Sequence, residues 1–198
     1  MNPLAGACGK LAEAKFFLGL LERIEKNPPV TTDSLDNEAT YFTSALLNAC
    51  YSVLEHLERQ GKRALRVANS QGTPMLVERL EKEIDSFLGQ NGTLYERDEH
   101  RADKGCGLRH LSVHHEVVDG KHQEQHHGGW GSGMWGDGMW GAATSTCCLY
   151  VDHPTSRERL WIVPRMTVHV QELEELVGHW ENRIASLDTP GAATHLRT

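Results

Sequence analysis

Arg109, His110 and His114 are the residues of this chain whose types and spacing could do chemistry, and they lie in the segment Leu108-Arg109-His110-Leu111-Ser112-Val113-His114-His115. An imidazole titrates near neutrality and can act as base or acid, whereas a guanidinium stays protonated and grips two phosphate oxygens with its planar fork. Such groups suit cleavage of RNA without a metal. A base takes the 2′-hydroxyl proton, an acid protonates the leaving 5′-oxygen, and a cation stabilises the charge that builds on phosphorus. His110 lies one helical turn before His114, so it could orient that imidazole or contact phosphate. Arg109 and His114, five residues apart, differ by roughly 140° around a helix, so a single chain presents the two poorly to one substrate. The spacing of His110 and His114 also fits a zinc or nickel site, with His115, His122, His126 and His127 nearby. No H-E-x-x-H signature accompanies them, and a His-rich stretch is as often an adventitious chelator.

The elements that must position these residues read as helices. From Leu11 to Lys26 the apolar positions Ala14, Phe17, Leu18, Leu21 and Ile24 recur at helical spacing, and Asn27-Pro28-Pro29 ends the run. A long second helix follows possible caps at Thr32, Asp33 and Ser34, carries Tyr41, Phe42, Ala45, Leu46, Ala49, Val53, Leu54 and Leu57, and is expected to end at Gly61. Thr73-Pro74 reads as a cap with proline at the first helical position, opening a third helix that closes near Gly89. A fourth runs from about Leu94 or Gly107 to His115, and a last one from Thr167 to about Leu187. Between them, Thr146 to Val151 and Arg159 to Val163 read as a small hairpin around Asp152-His153-Pro154-Thr155-Ser156. The segment from about residue 120 to 145, rich in Gly, Trp and Met, is expected to be a mobile insert, and the tail 188–198 to be loose. Its tryptophans could stack nucleobases or meet a partner, although an insertion without a dedicated role fits as well.

The chain of 198 residues, at roughly 150 residues per domain, suggests one domain spanning 1–198. Its net charge of −7 argues against binding nucleic acid through overall charge. Arg97, Arg101 and Lys104 precede the motif as candidate RNA contacts, but Asp98, Glu99 and Asp103 interleave with them. The longest strongly apolar stretch, Phe16 to Leu21, falls far short of the roughly 20 residues that cross a bilayer. No membrane contact and a cytoplasmic location are therefore expected. Five cysteines, none in a C-x-x-C pair, are expected to be reduced thiols. Cys50 and the pair Cys147-Cys148 read as packing residues, and Asn48 as a hydrogen-bonded residue of its helix.

The segment around Arg109 resembles the R-x4-6-H motif of the HEPN superfamily (higher eukaryotes and prokaryotes nucleotide-binding domains), where a polar residue follows the arginine. Arg109, His110 and His114 fit those three slots. The long second helix, Tyr41 to Leu54, also looks like the second helix of many bacterial members. The resemblance spans about residues 10 to 187 and implies an all-α, four- to five-helix HEPN-like bundle, with the hairpin and the Gly/Trp-rich flexible insert before its last helix. It further implies a homodimer whose motif helices meet in a cleft of two Arg and two His. The activity implied is a metal-independent endoribonuclease, without cofactor, of toxin–antitoxin or phage-defence type, partnered by RNA and by an antitoxin or defence component. The alternative is a non-catalytic HEPN module that binds nucleotide or a protein partner; a His-based metal-binding protein is a third reading. Glu116 stands where some members carry a tyrosine modified by nucleotidyltransferase antitoxins, so that form of regulation is not expected.

Overall fold

The computed structural model describes residues 2–28, 32–68, 72–95, 107–109, 120–127, 144–153 and 158–187. Helix α1 (Ala5–Lys26) buries Ala7, Leu11, Ala14, Leu18, Leu21 and Ile24, one stripe at spacings of three and four. That stripe packs along α2 (Thr32–Val67). The open end of α1 is satisfied from α2, because Gln60 Oε1 accepts the backbone N–H groups of Gly6 and Ala7 at 3.1 and 3.2 Å. Asn27 donates its backbone N–H to Arg23 O at 2.8 Å as the helix ends before Pro28.

Helix α2 has 36 residues, about 54 Å at 1.5 Å per residue, and it packs against α1, α3, the last helix and the sheet. It does not stop at Gly61. A Cβ there would sit 2.7 Å from Leu80 Cδ2, so the glycine marks the close crossing of α3 (Thr73–Gln90) over α2. At the start of α3 the cap position belongs to Gly72 and no side chain caps it; Thr73 instead donates its hydroxyl to Leu65 O at 3.3 Å, tying α3 to the end of α2. Asn91 then separates α3 from the single turn α4 (Gly92–Tyr95).

Three antiparallel strands follow in the order β1 (Lys121–His127), β2 (Thr144–Asp152), β3 (Arg159–Trp161). The pairing of β2 with β3, Tyr150 opposite Trp161, is the hairpin expected from the sequence. β1 departs from the sequence expectation, which places these residues in the mobile insert. Its composition, Lys-His-Gln-Glu-Gln-His-His, lacks any apolar alternation, and it forms because β2 offers a full ladder from Lys121–Tyr150 to His127–Thr144. Gly120 leads into it, lying against the backbone of Ala39 and Thr40 and donating its N–H to Thr40 Oγ1 at 2.9 Å. Alternation along β2 turns Cys147, Leu149 and Val151 into the core.

Helix α5 (Ile162–Leu187) begins directly after β3, so Ile162 and Val163 are helical rather than the end of a strand. Pro164 sits in its first turn, where its missing N–H has no intrahelical partner to lose. Its buried stripe, Met166, His169, Val170, Leu173, Val177, Trp180 and Ile184, closes the bundle against α1 and α2. Trp180 is completely buried, with Nε1 donating to Glu83 Oε2 at 2.9 Å. The fold is an all-α bundle with a small antiparallel sheet. Among the described residues no helix is long and apolar enough to cross a membrane. The Gly/Trp/Met segment 128–143 and the tail 188–198 lie outside the described residues.

Candidate functional site

Leu108 anchors the described part of the motif. It is buried among Thr43, Leu47, Leu94, Val151 and Met166, so the position of Arg109 is fixed by the core beneath it. The Arg109 side chain is half-buried, and its guanidinium carbon lies 4.0 Å from the centre of the Tyr51 ring. An arginine over an aromatic face is held by the ring quadrupole without losing its hydrogen-bonding edges. Tyr51, on α2, is itself buried and packs 5.8 Å, centre to centre, from Tyr95 of α4.

The Tyr95 hydroxyl is hydrogen-bonded to His169 Nε2 of α5, and the His169 ring also packs against Phe87 at 5.4 Å. Burial, above all, holds the Tyr95 phenol well above its ordinary range, the opposing pull of Arg165 and Arg109 being smaller. Burial, reinforced by the Arg165 cation, lowers the His169 imidazole to about 3. Tyr95 therefore keeps its proton and donates to a neutral His169. The proton of that ring then sits on Nδ1, and the Glu172 carboxylate lies 3.8 Å away. One turn before His169, Arg165 is half-buried and donates from Nη2 to Asn91 Oδ1 at 2.5 Å. Asn91 is fixed in turn by its own Nδ2, which donates to Phe87 O at 3.0 Å.

The arrangement thus joins Tyr51, Asn91, Tyr95, Arg109, Arg165 and His169 from α2, the α3–α4 junction, α4, the motif and α5. Chemically it offers two half-buried guanidinium groups beside a protonated phenol and a neutral imidazole. That set can grip an anion. Of the site residues named from the sequence, only Arg109 is placed; His110, His114, Arg97, Arg101 and Lys104 lie outside the described residues. Sequence reasoning missed Arg165 and His169. The available signal was a pair of polar residues four apart, Arg165 next to Met166 and His169 within the apolar stripe of α5.

Asn48 is half-buried and donates Nδ2 to Ser44 O at 3.0 Å, a bond within its own helix. Cys50 is fully buried and its thiol is pushed up to about 12 by burial, which suits packing and not nucleophilic chemistry. His122 pairs Nδ1 with Asp36 Oδ1 at 2.9 Å and so pins β1 to α2. Among the described residues no group of three His, Cys, Asp or Glu side chains is placed to hold a metal. No family model matches the chain, and neither curated proteins nor solved structures yield a match.

Proposed function

We propose that the protein is a metal-independent endoribonuclease of toxin–antitoxin or phage-defence type, acting in a homodimer through Arg109, His110 and His114. The observation that supports this reading is the seating of Arg109. Its guanidinium is braced on Tyr51 while the side chain as a whole stays only partly buried, as a group that meets phosphate from solvent must. In the proposed reaction one imidazole takes the 2′-hydroxyl proton and the freed oxygen attacks phosphorus. The bond to the 5′-oxygen breaks, a second imidazole protonates that oxygen, and Arg109 neutralises the added charge at phosphorus. The products are a 2′,3′-cyclic phosphate and a 5′-hydroxyl. The HEPN-like motif supplies the assignment of roles, and the helical bundle agrees with the architecture that the motif implies.

The test is cleavage of RNA in chelator by the purified chain, with Arg109→Ala and His114→Ala each abolishing it at unchanged helical circular dichroism. Activity that persists in both variants removes the proposal. A second reading, a non-catalytic HEPN-like module that binds nucleotide or a protein partner, is favoured by the complete burial of Arg109 Nε, which assigns part of this side chain to packing. Binding of RNA or nucleotide without any cleavage by the wild-type chain selects it.

A further inference from the structure

Arg165 of α5 joins the same side-chain cluster as Arg109 although 56 positions separate them in sequence. Both are half-buried, both act electrostatically on the Tyr95 phenol, and Arg165 lines the same narrow gap as Leu108, the neighbour of Arg109. The only hydrogen-bond partner of Arg165 among the described residues is the neutral Asn91, and no carboxylate there forms an ion pair with it. Its orientation is nonetheless fixed, because Asn91 is locked to Phe87 O. Among the described residues, the interior behind it adds no compensating anion, since Tyr95 keeps its proton and Glu172 faces His169 Nδ1. A guanidinium preorganised by a neutral partner, with one nitrogen engaged and the others still available as donors, is suited to a phosphate oxygen.

We infer that Arg165 is a second phosphate-gripping residue of this site, holding beside Arg109 a phosphate group of a single-stranded RNA or of a free nucleotide. The inference rests on the reading of Arg109 as the phosphate-binding arginine and extends the site to α5. It also gives each chain two cations of its own at the scissile phosphate, before any partner subunit contributes.

The test uses the full chain, a short 2′-O-methyl oligouridylate that cannot be cleaved, and AMP, with binding followed over a range of salt concentrations. Arg165→Gln should weaken binding about tenfold and lower the slope of log affinity against log salt by about 0.7, the contribution of one phosphate contact on a single strand. Arg165→Lys keeps the charge but not the fork, so it should weaken binding and leave the slope unchanged; this variant decides the matter if Arg165→Gln misfolds. Arg23→Gln, a change of an exposed arginine in the last turn of α1, should change neither. Loss of AMP binding alone in Arg165→Gln assigns the phosphate to a nucleotide, and loss of oligomer binding assigns it to RNA. Unchanged affinity and slope in Arg165→Gln and Arg165→Lys overturn the inference, as does a wild-type chain that binds neither probe. Wild-type binding without cleavage of unmodified RNA removes the ribonuclease and leaves Arg165 in place, whereas cleavage and binding indifferent to Arg165 do the reverse.

Discussion

The hydroxyl of Tyr95 and Nε2 of His169 meet in a hydrogen bond between residues 74 positions apart, which ties the single turn α4 to the last helix. Neither side chain reaches solvent to any extent, His169 being 0% exposed and Tyr95 4%. Each is therefore the other's substitute for water, and both Arg109 and Arg165 act electrostatically on the Tyr95 phenol. Protonating His169 would place a cation beside Arg165 in a buried site, which is why its imidazole is held down to about 3.

This depression makes the bundle acid-sensitive. The folded chain refuses a proton that the unfolded chain accepts, so stability is full above about pH 6.5 and is lost as pH falls toward about 3. Within that window the loss is about 1.4 kcal/mol per pH unit. Denaturant unfolding at neutral pH and at about pH 5 should differ by about 2 kcal/mol in the wild type. His169→Gln keeps an acceptor for Tyr95, so it should cost about 1–2 kcal/mol at neutral pH and show a shallower acid slope. An undiminished slope in that variant would assign the acid sensitivity elsewhere.

Glu25 titrates in the opposite sense. β3 ends at Trp161, which leaves the Leu149 N–H on the open side of β2, and Glu25 Oε1 accepts it at 2.8 Å. Burial, outweighing that hydrogen bond and aided by Glu22, raises the carboxyl above its ordinary value near 4.5. A raised acid binds its proton more readily in the folded chain, so its contribution to stability is lost as pH rises through the folded value. At neutral pH Glu25→Gln, which keeps the acceptor without the charge, should match or exceed the wild type by up to about 1 kcal/mol, and Glu25→Ala should lose about 1–2 kcal/mol. Below the ordinary carboxyl value the difference between wild type and Glu25→Gln should vanish. Thermal unfolding of the three proteins across pH measures all of this, and a destabilised Glu25→Gln would contradict it.

The helices were legible because their apolar stripes are local. α1 and the core stripe of α5 can be read at spacings of three and four with no knowledge of partners. Where the reading failed, tertiary contact had overruled local signals. Gly61 looks like a helix end, yet it is the place where Leu80 crosses, and β1 has no strand-like pattern because its stability comes from pairing with β2. The site was legible only as far as Arg109. Arg165, His169, Tyr95 and Asn91 are assembled from two separate stretches, and no spacing along the chain reveals that they meet.

Two glycines should respond to alanine with opposite sign. A Cβ on Gly120 would meet the backbone carbonyl carbon of Ala39 and the nitrogen of Thr40 at 2.7 Å, and helix α2 cannot yield there as a flexible side chain could. Gly120→Ala should cost about 1–3 kcal/mol and loosen the seating of β1. Nothing lies within 4 Å of a Cβ on Gly178, in the interior of α5. Gly178→Ala should stabilise by about 0.5–1 kcal/mol through backbone entropy alone. Urea midpoints of the two variants check both signs, and a tolerated Gly120→Ala would mean that β1 can move away from α2.

The bracing of Arg109 by Tyr51 separates a positioning role from a purely structural one. A cation over an aromatic face is worth about 0.5–2 kcal/mol depending on how far it is desolvated, which corresponds to roughly a two- to thirtyfold effect if all of it orients the guanidinium for phosphate. Tyr51→Phe keeps the ring beneath the 4.0 Å contact, whereas Tyr51→Leu keeps apolar volume in the core but removes the quadrupole. If the ring positions Arg109, Tyr51→Phe should retain RNA binding and cleavage, and Tyr51→Leu should lose about tenfold in kcat/KM at a temperature where both remain folded. If Tyr51 only fills space, activity will follow Tm through the series, and the two variants will differ no more than their stabilities do.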